Sequence, residues 1–146
     1  MKRIARRAYA GGIWVLAAAV VAQFLLAGLG IFADGGFLTW HATAGAAVIF
    51  GLSLLLVLIG WLGRVRGRRL WLTAGIAGLV IVQSLLLAPY HTNATGVLRG
   101  IAGLHVVNAL VIFWVVARLL EATLSEPSSA AEAMAGSHTS GPMRET

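Results

Sequence analysis

The sequence predicts an all-α integral membrane protein, an up-down-up-down four-helix bundle, on three observations. Hydrophobic residues make up 59% of the 146-residue chain and charged residues 11%, with a mean hydropathy of +0.88, far more apolar than a soluble domain requires. Four stretches, about 8–32, 37–62, 70–89 and 97–120, are each long enough to cross the ~30 Å hydrocarbon core as helix, the conformation that satisfies its own backbone polar groups in lipid. The connections between them are short, so successive helices turn back on one another.

The first stretch is too long for a cleavable signal peptide, and no Ala-x-Ala site follows it before the second. Orientation comes from the cations. Lys2, Arg3, Arg6 and Arg7 precede the first span, Arg64, Arg66, Arg68 and Arg69 fill the second connection, and Arg118 ends the fourth span, whereas the first and third connections together hold only Arg99. The positive-inside rule then puts both termini in the cytoplasm, and the chain is expected to be multi-pass in a bacterial cytoplasmic membrane. The net charge of +6 is therefore a topology signal and a contact with anionic lipid heads, and it does not point to nucleic acid. Trp14, Trp40, Trp61 and Trp71 lie near span ends, as interfacial anchors do. Pro89 helps to end the third helix. Residues 1–121 form the bundle domain. Residues 122–146, rich in Ser, Ala, Glu, Gly and Pro, read as a disordered cytoplasmic tail in which His138 is simply solvated.

His41 and His105 are the best candidates for chemistry, because an imidazole inside a bilayer is costly unless paired, hydrogen-bonded or bound to a metal. Both sit a short way inside the outer ends of the second and fourth spans, at similar depth. An internal repeat links them. Aligning 17–26 with 77–86 matches Ala17/Ala77, Val20/Val80, Gln23/Gln83, Leu25/Leu85 and Leu26/Leu86, so each half reads as a helix with Gln, an outer loop and a helix with His. Halves related by an axis along the membrane normal would bring the two imidazoles face to face. Two facing imidazoles in a bundle are the usual ligation of a six-coordinate b-type haem, which makes haem b the expected cofactor and His41 and His105 the expected iron ligands. Gly28, Gly30, Ala44, Gly45, Gly100, Gly103 and Ala109 offer room for a flat macrocycle. Arg99, His91 and Tyr90 lie in the layer where propionates would end, and Asn108 could orient the ligand His105 or a porphyrin edge. Gln23, Gln83 and Asn108 also suit interhelical hydrogen bonds.

At 21–28, 40–45, 82–85 and 103–108, the chain resembles the helical bundle of haem A synthase. The resemblance covers the four spans and one half of that enzyme. Carried over, it implies His41 and His105 as haem ligands. The chain lacks that family's acidic residue a turn before His41 and its second half, so the family's oxidation of a methyl group is not implied. The chain also looks like a group of small bacterial four-helix membrane proteins, a likeness that implies a fold and no activity.

Three classes of function stay open at this point: a b-type cytochrome for electron transfer or haem handling, an accessory subunit of a membrane complex with incidental histidines, and a haem A synthase-like oxidoreductase. A zinc or copper site at His41, His91 and His105 has no thiolate to support it, because the chain has no cysteine, and Asp34 is the nearest carboxylate. Hydrolytic constellations and transporter-type broken helices are missing, which favours a non-enzymatic role. Compatible partners are the bilayer, a redox partner or larger membrane complex, and a second copy of the chain. The topology has a direct check: cysteine labelling should place Thr95 outside and Ser125 inside, and the reverse pattern would overturn it.

Overall fold

The computed structural model describes residues 1–92 and 95–125. Asn93 and the segment 126–146 with His138 lie outside them. All regular structure among the described residues is helical: α1 (Lys2–Phe32), α2 (Gly36–Ala44), a π-helical turn (Gly45–Ile49), α3 (Phe50–Leu62), α4 (Gly67–Leu85), α5 (Ala88–His91), α6 (Gly96–Ile101) and α7 (Leu104–Leu124). Three helices, Lys2–Phe32, Gly36–Leu62 and Gly96–Leu124, are long and apolar enough to cross a membrane, so the chain is a helical membrane protein. The helix within the expected third span is shorter. Arg68 and Arg69 occupy the first turn of α4, and its apolar run from Leu70 to Leu85 rises only about 24 Å.

Each break has a local cause. After α1, the Asp34 carboxylate accepts the Gly36 N–H at 2.6 Å, closing a tight turn before α2. After α3, the Val65 N–H bonds the Gly60 carbonyl and the Arg64 N–H bonds that of Trp61, the paired bonds of a Schellman cap. This cap requires a left-handed residue, and Arg64 adopts it with φ 52°. Arg6 secures the same corner from α1, donating Nε–H to the Gly63 carbonyl at 2.9 Å. Between α6 and α7, around Gly100 and Gly103, three-residue backbone bonds replace the α-ladder. The expected fourth span is therefore interrupted at Ala102–Gly103, and His105 lies in the first turn of α7. At the other end, α7 runs three residues into the expected tail, where Arg69 donates to the Ala122 carbonyl at 2.7 Å.

Contacts between named residues give the directions. Tyr9 and Gly12 near the start of α1 meet Gly60 and Leu56 of α3, while Gly30 at its end meets Leu38 of α2, so α1 and the Gly36–Leu62 helix are antiparallel. The pair α4 and α7 is also antiparallel, with Arg69 at Ala122 and Gln83 at His105. The α1–α7 and α3–α4 contacts close the ring. The core inside it consists of Ile13, Leu16 and Val20 of α1, Leu56 of α3, Ile76 and Val80 of α4, and Ile112, Val116 and Leu119 of α7, recurring at three and four residues. Buried polar groups pair within that core. Thr73 donates its hydroxyl to the Arg69 carbonyl, which leaves Tyr9 to donate to Thr73 at 2.7 Å.

Burial follows the internal repeat. Ile13, Leu16 and Val20 correspond to Thr73, Ile76 and Val80 on a shift of 60 residues, and all six are buried. In the other pair, His41 and Gly45 correspond to His105 and Ala109 on a shift of 64. Beyond the π-helical turn, Ile49, Ser53 and Leu56 correspond to Ile112, Val116 and Leu119 on a shift of 63, again all buried. The wide turn thus absorbs one extra residue, letting the histidine and the core of the same helix both face inward.

Two substitutions test this packing by thermal or denaturant unfolding in detergent. Tyr9→Phe should cost about 1 kcal/mol by removing a buried hydroxyl pair. Arg64→Gly should raise stability by about 1 kcal/mol by relieving the left-handed cap.

Candidate functional site

The site forms where the two halves converge at the end of the molecule away from the arginine-rich corner. His41 in α2 and His105 in α7 are half-buried, with ring centres 6.2 Å apart and planes inclined by 60°. Each ring is tied to the glutamine of its own half. His41 Nδ1 lies 3.0 Å from the backbone carbonyl of Gln23, and His105 Nδ1 lies 3.1 Å from that of Gln83. A carbonyl only accepts, so both imidazoles carry their proton on Nδ1. Neither Nε2 has a hydrogen-bond partner among the described residues.

The glutamine side chains return the bond. Gln83 Nε2 donates to the His105 carbonyl at 2.9 Å, and Gln23, with its amide nitrogen toward α2, donates to the His41 carbonyl at 2.8 Å. Glutamine and histidine therefore clasp each other reciprocally in both halves, backbone to side chain in each direction. The amide oxygens are held differently. Gln83 Oε1 accepts from Asn108 Nδ2, which also reaches the Leu79 carbonyl at 2.9 Å, whereas Gln23 Oε1 accepts the Gly45 N–H at 3.2 Å. A Cβ at Gly45 would stand 3.2 Å from the Gln23 side chain, a tight contact that the glycine avoids.

Both rings line a cavity of about 230 Å³ to which α1, α2, α4 and α7 all contribute. Val20, Ile49, Val80 and Ile112 form its apolar floor, and the small residues Ala42, Gly45, Ser84 and Ala109 widen its sides. Phe24 adds a wall and packs edge-on against Phe113, centroids 6.0 Å apart. A metal–imidazole nitrogen bond is about 2.0–2.1 Å and the ring centre lies roughly 1 Å behind that nitrogen, so rings on opposite sides of one metal stand about 6 Å apart. The observed separation fits one such atom between His41 and His105.

The remaining candidates lie elsewhere. Asn108 is outside the cavity lining and holds Gln83 rather than a ring of His105. Arg99 is on the exposed helix α6, also outside the lining. His91 ends α5, and its side chain lies outside the described part of the chain. Of the small residues expected to make room, Gly45 and Ala109 line the cavity, while Gly30 instead receives Leu38 in a helix–helix contact. Among the described residues no three His, Cys, Asp or Glu side chains gather where they could hold a metal ion. Ala42, Ser84 and Phe24 line the cavity although the sequence names them only within the segments of family resemblance, and nothing in the sequence marks the π-helical turn. Ser84 and Phe24 directly follow the two glutamines, so the repeat itself could have placed them.

The profile of a family of unknown function (DUF6220) matches residues 23–92, a stretch that contains Gln23, His41 and Gln83 and ends before His105. No curated protein and no solved structure gives a significant match to the chain.

Proposed function

We propose that this chain is a membrane-spanning up-and-down four-helix bundle that holds one b-type haem between His41 and His105 and serves in electron transfer or haem handling. The observation that carries the reading is the pair of Nδ1-anchored imidazoles 6.2 Å apart, each with Nε2 available at a shared cavity. Metal-ligating histidines almost always donate the other ring N–H to a carbonyl or carboxylate, which sets tautomer, orientation and basicity. Here that support is present twice. A bare metal ion would need about four protein ligands, whereas a porphyrin supplies its own in-plane nitrogens and asks for two axial ones. The likeness to one half of haem A synthase agrees with the same ligand pair.

When bound, the haem would supply one-electron redox chemistry. The chain's own residues do the rest. Gln23 and Gln83 hold the two rings in orientation, Val20, Val80 and Ile112 exclude water, and Phe24 adds an aromatic wall. The cavity is smaller than the roughly 300–1,000 Å³ typical of ligand pockets, so a bound haem would be enclosed only in part, with Ala42, Gly45, Ser84 and Ala109 leaving it room.

Protein purified from haem-replete cells should show a low-spin Soret band with sharp reduced α and β bands, and His41→Ala or His105→Ala should abolish it. Gln83→Leu should keep the low-spin form but weaken haem affinity by about 10–100-fold. A wild type without haem absorbance would overturn the reading, and low-spin haem persisting in either alanine variant would show that other residues ligate it.

A further inference from the structure

We propose that the cleft between the start of α4 and the end of α7 is a binding site for the phosphate headgroup of an anionic phospholipid. This site is at the opposite end of the molecule from the histidines and does not depend on the haem reading. Arg66, Arg68, Arg69 and Arg118 line a cleft of about 400 Å³ together with Glu121. Arg66 caps α4, Arg68 and Arg69 lie in its first turn, and Arg118 comes from α7, so the fold gathers cations that are distant in the chain.

Two of the four are already engaged. Arg69 donates to the Ala122 carbonyl at 2.7 Å, and Arg118 pairs with Glu121 at 2.8 Å. The side chains of Arg66 and Arg68 make no hydrogen bond or ion pair among the described residues, and both residues are exposed. Two guanidinium groups beside one cleft are suited to the bidentate recognition of a phosphate. The floor identifies the source of that phosphate. Leu72, Leu119 and Ala122 line the same cleft, and Trp71 beside it is 79% exposed. A free phosphate gains nothing from this apolar floor, whereas a lipid lays its glycerol and upper acyl chain on it.

The control lies in the same molecule. Arg3 and Arg7 are exposed at the same end, because their neighbour Arg6 bonds the Gly63 carbonyl, but neither lines the cleft. Lipid binding to the full-length protein in detergent is read by native mass spectrometry with phosphatidylglycerol, phosphatidylcholine or inorganic phosphate. Wild type should retain one phosphatidylglycerol in preference to phosphatidylcholine and should not bind inorganic phosphate comparably. Arg66→Gln with Arg68→Gln should weaken that retention about tenfold or more, given the contribution of each basic residue at a membrane surface. Arg3→Gln with Arg7→Gln removes the same charge and should leave it within about twofold. Arg66→Lys with Arg68→Lys, which keeps the charge but loses the planar fork and guards against misfolding of the glutamine variant, should recover retention in part, to a level between the glutamine variant and wild type. Equal losses in the two glutamine variants would reduce the effect to general surface charge and overturn the proposal. Equal binding of phosphatidylcholine or of inorganic phosphate would overturn it as well.

Discussion

The reciprocal clasp between a glutamine on one helix and a histidine on the next governs the end of this molecule opposite the arginine-rich corner. In each half the histidine donates Nδ1–H to the glutamine carbonyl, and the glutamine amide donates to the histidine carbonyl. Four polar groups that would be costly in lipid are satisfied at once. The clasp also sets the helix register. Once Gln23 faces His41 and Gln83 faces His105, the buried faces below them are determined, and the two rings are brought to one cavity.

That geometry conflicts with helix periodicity in the first half. An ordinary α-helix from Phe37 onward could not present both His41 and the Ile49, Ser53 and Leu56 face inward on the register that the second half uses. The π-helical turn at Gly45–Ile49 resolves the conflict by adding a residue. Gly45, where a side chain would press on Gln23, allows the turn to sit directly against α1. In the second half Asn108 does the corresponding work, holding the Gln83 amide with a side chain where the first half uses a backbone N–H. The two halves therefore reach the same arrangement by different means, as is expected of a repeat whose copies have diverged under one geometric constraint. π-Turns are frequent at functional sites, and the placement of this one, a turn after His41, agrees with that tendency.

The molecule is polarised along its length. One end carries the clasped histidines and the apolar cavity, and the other carries the arginines, the Schellman cap at Arg64 and the Arg69–Ala122 bond. Between them the core is aliphatic apart from the Tyr9–Thr73 pair and Ser53, whose buried hydroxyl donates to the Ile49 carbonyl. Binding of a macrocycle at one end and of a lipid headgroup at the other would not compete, since no residue lines both the cavity and the cleft.

Much of this was legible in the chain. Hydropathy and length were enough for the helical membrane class, because lipid admits so few backbone conformations, and the scarcity of polar residues within the spans singled out Gln23, His41, Gln83 and His105. What the sequence could not decide was which face of each helix looks inward. In a protein that meets lipid outside and aliphatic side chains inside, hydrophobicity is nearly uniform around each helix, and its periodicity carries little information. Only packing separates buried Leu16 from exposed Val15, or Leu56 from Leu55. Tertiary structure likewise decided that Asn108 serves Gln83, that Arg99 stands away from the cavity, and that the fourth expected span is broken at Ala102–Gly103. The composition of the chain determined its solvent and its few polar side chains; their pairing depended on contacts between residues 18 to 25 positions apart, a separation at which local sequence patterns say nothing about geometry.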